Sequence, residues 1–345
     1  MVAPYPAAAD GLAQPSGGRL SGRPPSVWVL HDGKPGMASQ ALGLAEAAGF
    51  PFVEKRLSIR RPWAWLPPLL WLAPLDAARY EGRPLAPPWP DLVIGCGRNT
   101  VRPALAIRRA GGGRTLAVQI QDPRVGRGEF DLLFVPEHDR LRGPQIVVTG
   151  SALHRATAQL LAAERRRFPV LEALPRPIVG VLIGGSNRAY RLDLARLGEV
   201  ARMIAALVRQ TGGSVVVTPS RRTGNQGLAV LREQLGGLPG VIWDGTGDNP
   251  YYAYLAVADA LLVTADSVSM ISEAAATGKP VHIIDLAGGG AKFARFHETM
   301  RAAGITRPFT GRIEYWSYAP PGDTARAGAA LRELVGNRLL RLTQP

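Results

Sequence analysis

ADALLVTADSVSMISEAAATGKPVHIIDL, residues Ala258–Leu286, reads as a complete strand–helix–strand unit. The apolar run Ala260–Val263 ends at Thr264 in the polar turn Asp266-Ser267. A helix follows over Val268–Thr277, Gly278-Lys279-Pro280 stops it, and a second apolar run, Val281–Ile284, begins at once. Two short apolar runs joined by a helix make parallel neighbours, because a parallel pair needs a crossover of that length. The helix start also has chemistry of its own. Its first amides, around Ser267, Ser269 and Met270, have no partner within the helix and lie at the positive end of its dipole, which favours phosphate. Glu273 follows less than two turns later, with two oxygens for the two hydroxyls of a ribose.

The same alternation extends outward on both sides. Strands are expected at Ile178–Ile183, Ser214–Thr218 and Val241–Trp243, with helices near Leu192–Arg209, Gln226–Leu235, Tyr251–Val257 and Ala291–Ala303. Upstream, strands are expected at Val27–Leu30, Phe52–Val53, Leu92–Gly95, Leu116–Ile120, Leu132–Val135 and Ile146–Val148, with helices near Ala38–Ala48, Val101–Ala110 and Leu153–Arg167. FPVLEALPRP, residues 168–177, has three prolines and no period, the character of a linker. The predicted organisation is a tail over 1–25, a first domain over 26–167, the linker, and a second domain over 178–345. Both domains are α/β and doubly wound, facing each other across a cleft. A last helix, about Thr324–Leu342, has the length to close onto either.

Three strand ends carry candidate site residues, since open α/β sheets bind ligands beyond the carboxyl ends of their strands. Gly184-Gly185-Ser186-Asn187 ends the strand Ile178–Ile183, and glycines there let backbone amides approach an anion. Ser220-Arg221-Arg222 follows the strand Ser214–Thr218, with two guanidinium groups suited to a diphosphate. The third is VWVLHDGKPGMASQALGLAEAAG, Val27–Gly49. Its Lys34 precedes Gly36 and no Ser or Thr follows the lysine directly, so it is not a Walker loop. It reads either as a site loop of unknown ligand or as an ordinary turn with charged residues in water.

Composition narrows the partners. The 345-residue chain carries 41 basic and 27 acidic side chains, a net charge of +14, yet only Lys34, Lys55, Lys279 and Lys292 are lysines. The arginines are scattered without an aromatic-interleaved stripe, so no nucleic-acid partner is expected, while anionic lipid or a phosphate-bearing substrate is. A single cysteine, Cys96, provides neither a disulfide framework nor a cysteine metal site, and a reducing, cytoplasmic setting follows as the expectation. MVAPYPAAADGLAQPSGGRLSGRPP, residues 1–25, lacks the basic start and apolar centre of a signal peptide and reads as disordered. RRPWAWLPPLLWLAPL, Arg60–Leu75, is broken by prolines and too short to span a bilayer. Its Trp63, Trp65 and Trp71 behind two arginines fit either an anchor on the inner membrane surface or a segment packed on its own domain.

The helix start at Ser267 resembles the nucleotide-sugar half of GT-B glycosyltransferases, notably bacterial lipid-sugar transferases with a serine and a glutamate on the helix that meets UDP. Ser269 and Glu273 take those places. From about Val27 to Leu340 the chain looks like the mitochondrial fission ELM1-like family. The matching stretches are DGKPGMASQALGLAEA, VQIQDPRVGRGEFDLLFVPEHD, IGGSNRAYRLD, TPSRRTGNQ and NPYYAYLAVADALLVTADSVSMISEAAATGKPV. Met37 departs from the pattern, where relatives often have a histidine. The resemblance implies a GT-B fold with a nucleotide-sugar donor in the second domain, and no metal or cofactor. An inverting transfer needs a base near the acceptor hydroxyl. Asp32 is the first choice for that base and His31 the second, with Lys34, Gln40, Gln121, Asp122 and Arg124 lining the acceptor side. The acceptor implied is a membrane lipid or cell-envelope glycan. A non-catalytic recruitment scaffold and a sugar-nucleotide epimerase are the two rival readings.

Overall fold

Residues 24–343 are described by a computed structural model, so all but the last two residues of the expected tail lie outside the described residues. The first sheet has eight strands. They are β1 (Val27–His31), β2 (Phe52–Ile59), β3 (Ala78–Tyr80), β4 (Arg83–Pro84), β5 (Leu92–Cys96), β6 (Leu116–Ile120), β7 (Leu132–Pro136) and β8 (Ile146–Thr149). Their order is β4-β3-β2-β1-β5-β6-β7-β8, parallel from β2 to β8, with β3 and β4 added antiparallel at one edge. Its helices are α1 (Pro35–Ala48), the single turn α2 (Pro74–Ala77) and α3 (Arg98–Ala110).

The second sheet runs β12-β11-β9-β13-β14-β16 and is wholly parallel. Its strands are β9 (Ile178–Ile183), β11 (Ser214–Pro219), β12 (Gly240–Ile242), β13 (Ala260–Thr264), β14 (Val281–Ile284) and β16 (Thr306–Pro308). A two-strand ribbon, β10 (Tyr190–Arg191) with β15 (Ala287–Gly288), lies beside it. The helices are α4 (Ala158–Arg167), α5 (Leu194–Thr211), α6 (Gly224–Leu235), α7 (Tyr251–Val257), α8 (Val268–Ala275), α9 (Ala291–Ala302) and α10 (Asp323–Thr343).

The central strands β5, β6, β9 and β13 are buried along their whole length, as strands covered by helices on both faces must be. Local chemistry sets the helix ends. Pro35 opens α1, whose C-cap Gly49 takes the left-handed conformation at φ 73°. Asp193 and Thr157 cap α5 and α4 by accepting the amides of Arg196 and Leu160. β2 runs six residues beyond its expected end despite the charges of Glu54, Lys55 and Arg56. Lys55 holds its ammonium over the rings of Trp28 and Tyr80, 4.1 and 4.0 Å from their centroids.

Two borders move. The expected first domain ended with the helix before residue 168, but α4 packs on α7 of the second unit, and Leu161 joins that unit's core. The proline-rich stretch is not a free linker either: Leu171 is buried against Ile178, Val216 and Tyr254. The first crossing between the units is therefore the stretch 150–157. Helix α10, counted with the second domain, returns to the first, where Ala327, Leu331 and Val335 pack against Ala41, Leu44 and Ala48 of α1. The two crossings are stitched together. Asp323 accepts the amides of Gly150 (3.2 Å) and Ser151 (2.8 Å), and Thr324 accepts that of His154 (3.2 Å).

Candidate functional site

The carboxyl ends of β1, β5 and β6 converge beside the start of α1. His31 ends β1, and its ring is buried. Its Nδ1 accepts the Gly33 amide (3.1 Å), which leaves the proton on Nε2 to be donated to Glu54 (2.8 Å). That hydrogen bond, outweighing burial, holds the Glu54 carboxyl below the usual range. Both ring nitrogens are thus engaged inside the elbow, and the expected role of His31 as second base has no open nitrogen behind it. His31 shapes the turn. Asp32 sits one residue further on and pairs with the Lys34 ammonium. It also accepts from the Asn99 side chain (3.3 Å), which the first turn of α3 presents.

Asn99 escaped sequence reading, although the strand–glycine–helix pattern of IGCGRNT, Ile94–Thr100, marks the turn that carries it. Gly97 caps α3 at φ 88°, where a side chain would also strike Met37 Sδ at 3.0 Å. Met37 further touches the Cys96 thiol (3.6 Å) and the Gln121 amide (3.5 Å), so the position expected to hold histidine in relatives is here an apolar plug between strand ends. Burial lifts the Cys96 thiol far above its ordinary pKa, leaving it unreactive. Gln121, with φ 72°, turns back to Gln40 (3.3 Å), and Gln40 in turn holds the Gly36 carbonyl (2.9 Å). Gln40 and Gln121 therefore share one side of the elbow, while the Lys34 ammonium stays with Asp32. Asp122 and Arg124 do not extend it as a pair, because Asp122 is gripped by both donors of Arg127 at 2.8 Å and caps the Arg124 amide. Burial pushes the Asp122 carboxyl up, but these contacts outweigh it and hold it low.

The second unit meets this elbow through α8. A Cβ on Gly36 would lie 2.7 Å from Ser269 Oγ, so the starts of α1 and α8 touch. Ser267 caps α8 by accepting the Met270 amide (3.4 Å). Glu273 is buried and bonded on both oxygens, by Ser39 of the first unit (2.5 Å) and by Tyr251 (2.6 Å), with Tyr252 at 3.4 Å. Burial raises its carboxyl above the ordinary value even though these hydrogen bonds favour the ionised form. The oxygens expected to meet ribose thus hold the two units together.

The glycine turn is also engaged. Gly184 donates to Thr264 (2.8 Å) and Gly185 to the Asp266 carboxylate (3.1 Å), which also pairs with Arg222 (2.7 Å). Asp266, buried and expected from the sequence only as part of the turn before α8, stands where an anion on the glycine turn was expected. A Cβ on Gly184 would lie 2.3 Å from both its oxygens. Arg222 therefore serves a carboxylate and the Gly185 carbonyl (2.8 Å), while Ser220 holds the Gly184 carbonyl (2.6 Å). Ser186 and Asn187 brace the following loop, Ser186 accepting the Leu192 amide and Asn187 that of Tyr190. Arg221 is exposed. Among the described residues no three His, Cys, Asp or Glu side chains converge as a metal set.

A second contact bridges the units at α9. Lys292 pairs with Asp139 (2.6 Å), Arg295 donates to the His138 carbonyl (3.1 and 2.9 Å), and Phe296 meets the His138 ring edge-on at 5.6 Å.

The sequence model of the mitochondrial fission ELM1 family matches residues 35–335. The chain belongs to that family. The mitochondrial fission protein ELM1 of Arabidopsis thaliana is 38% identical over 280 residues, covering 72% of this chain and 65% of the plant protein, so the match spans just under two thirds of that relative. An uncharacterized protein of Rickettsia prowazekii (strain Madrid E) is 25% identical over 89% of this chain and 98% of its own. Among solved structures, two UDP-GlcNAc 2-epimerases share the fold of this ELM1-family chain. The enzyme of Methanocaldococcus jannaschii, in complex with UDP-GlcNAc and UDP, has a TM-score of 0.50 at 11% identity, covering 90% of this chain and 98% of that one. That of Rickettsia bellii has a TM-score of 0.50 at 12% identity, covering 93% and 96%. The fold is GT-B-like, two facing Rossmann-like units.

The insertion between β2 and β3 corrects the tryptophan reading. Trp71 is only 1% exposed, and its indole N–H bonds the carbonyls of Trp63 (2.9 Å) and Leu66 (3.2 Å). Trp63 is half-buried and Trp65 stands 72% exposed. No helix of the described residues is long and apolar enough to cross a membrane.

Proposed function

We propose that this protein transfers a sugar from a nucleotide-sugar donor to a hydroxyl of a membrane lipid or cell-envelope glycan. The observation that carries the reading is the meeting of two strand-end turns across the cleft: the α8 start with Ser269 and Glu273 opposite the α1 start with Gly36 and Ser39, beside Asp32. Asp32 takes the proton as the acceptor oxygen bonds to the sugar carbon. The bond from that carbon to the diphosphate breaks, and the nucleoside diphosphate leaves with its charge toward the first amides of α8 and the exposed Arg221. Lys34 and Asn99 orient the Asp32 carboxylate. Since Gly185 and Arg222 already serve Asp266, the donor diphosphate is assigned to the α8 amides rather than to the glycine turn.

Isothermal titration with UDP, CMP, GDP and ADP sugars tests donor binding, and failure of all to bind below millimolar concentration rejects it. With the donor so found, Asp32→Asn should keep donor affinity and lower nucleoside diphosphate release by ~10²–10⁴. Unchanged release would remove the elbow from the chemistry.

A second reading, a recruitment scaffold, is favoured by one observation: both oxygens of Glu273 are bonded by protein groups, one of them by Ser39 of the first unit, so the units are latched there without a ligand. The plant relative's name, a mitochondrial fission protein, points the same way. A scaffold binds no nucleotide, and the same titration separates the two.

A further inference from the structure

Between β2 and β3 the chain leaves the sheet for residues 60–77, and the two faces of this excursion are opposites. Its inner face is pinned by buried Trp71 and Pro68, and Arg102 of α3 donates to the Trp71 carbonyl (3.5 Å). Its outer face presents Trp65 at 72% exposure, Leu69 at 56%, Leu70 at 54% and Leu72 at 90%, with Leu66 beside them. Large apolar side chains held outward together cost solvation free energy in water and mark an interaction surface.

We infer that this ridge docks the protein on an anionic lipid bilayer. Charge selects the occupant. The span Arg60–Leu75 has two arginines and no acid, and the whole chain carries +14. The Arg61 guanidinium lies 5.3 Å from the Trp65 ring centroid, pairing an aromatic ring with a cation as the headgroup region of a bilayer favours. Asp76, the nearest acid along the chain, is already paired with Arg60 and Arg79. A ridge with apolar tips suits a medium that yields around it, and lipid attraction grows with buried apolar area and with nearby basic charge. The position matters as well. β2 runs parallel to β1, so the excursion begins at the same sheet end as Asp32, and α3 touches both, through Asn99 to Asp32 and through Arg102 to Trp71. Docking therefore brings the elbow to the lipid surface. The surface stands apart from sugar transfer, since binding needs neither donor nor turnover.

The test is flotation of the full chain with phosphatidylcholine vesicles, with and without phosphatidylglycerol. The wild type should float with the anionic vesicles, less so as salt rises, and poorly with the neutral ones. The triple variant Trp65→Ser, Leu69→Ser, Leu72→Ser should lose roughly tenfold or more of that binding while keeping the wild-type melting temperature, because these side chains are exposed. Arg60→Gln with Arg61→Gln should weaken it further at low salt than at high salt. Equal flotation of the triple variant overturns the proposal. So does a wild type that never floats, and one that sediments as a dimer which the triple variant dissolves assigns the ridge to a second copy.

Discussion

Glu273 shows how one side chain can belong to two tasks. Burial lifts its carboxyl above 4.5, so near that pH the folded protein holds a proton that the unfolded chain has released. Stability from the neutral form is full below the unfolded value and declines as pH rises through the folded one. Urea midpoints of wild type and Glu273→Gln measured from pH 4 to 7 should therefore diverge in favour of the variant as pH rises, and parallel midpoints would contradict the burial cost. Ser39 competes for the same carboxylate. If ribose takes Glu273, Ser39→Ala removes a rival and should tighten nucleotide binding by about tenfold, the worth of one hydrogen bond to a charged group. Weaker binding in that variant would make Ser39 part of the site rather than its latch. At this scale the sequence was half informative. Asp32 and Glu273 stood out through their places after strands, as did the turn holding Asp266, but the partners of Asp266, Asn99 and Tyr251 are distant in sequence, which no local spacing reveals.

Among elements, glycines in α1 and α10 set how closely helices approach. A Cβ on Gly328 would lie 2.5 Å from the Ala47 carbonyl, a backbone atom that cannot swing aside. Gly328→Ala should cost about 1–3 kcal/mol, the usual range for overpacking, read as a lower urea midpoint with unchanged m-value. An unchanged midpoint would mean that α10 shifts freely on α1. The buried strands β1, β5, β6, β9, β11, β13 and β14 were legible because apolar runs between turn residues have few other fates. β3, β4, β10, β15 and β16 were not, being two or three residues long and made by pairing rather than by pattern. The end of α4 was read correctly and its allegiance was not. An arginine-rich helix shows which face is apolar, but not which sheet that face will find.

For the whole molecule, the crossings are the sensitive place. His154, on the first crossing, is 5% exposed, and neither ring nitrogen has a protein partner; burial lowers its pKa to about 4. In the unfolded chain it titrates near 6.5, so the stability carried by the neutral ring is present above that value and is lost as pH falls toward about 4. The span corresponds to about 3 kcal/mol. His154→Leu should flatten the acid side of the stability curve between those values, measured by thermal melts, whereas an unaltered slope would place acid sensitivity elsewhere.

The return of α10 to the first core has a consequence during synthesis. Ala41, Leu44 and Ala48 of α1 lie in a core shared with Val27, Val29, Leu92 and Ile94 of their own sheet, and it is completed by Ala327, Leu331 and Val335 of α10, near the other end of the chain. While the ribosome is still making β9 to β16, the side of α1 turned toward α10 stays uncovered. The unit begun first is thus the one finished last, and the second unit can close while its neighbour still waits. A ribosome stalled before Asp323 should hold a nascent chain whose second half resists protease and whose first half is cut within α1.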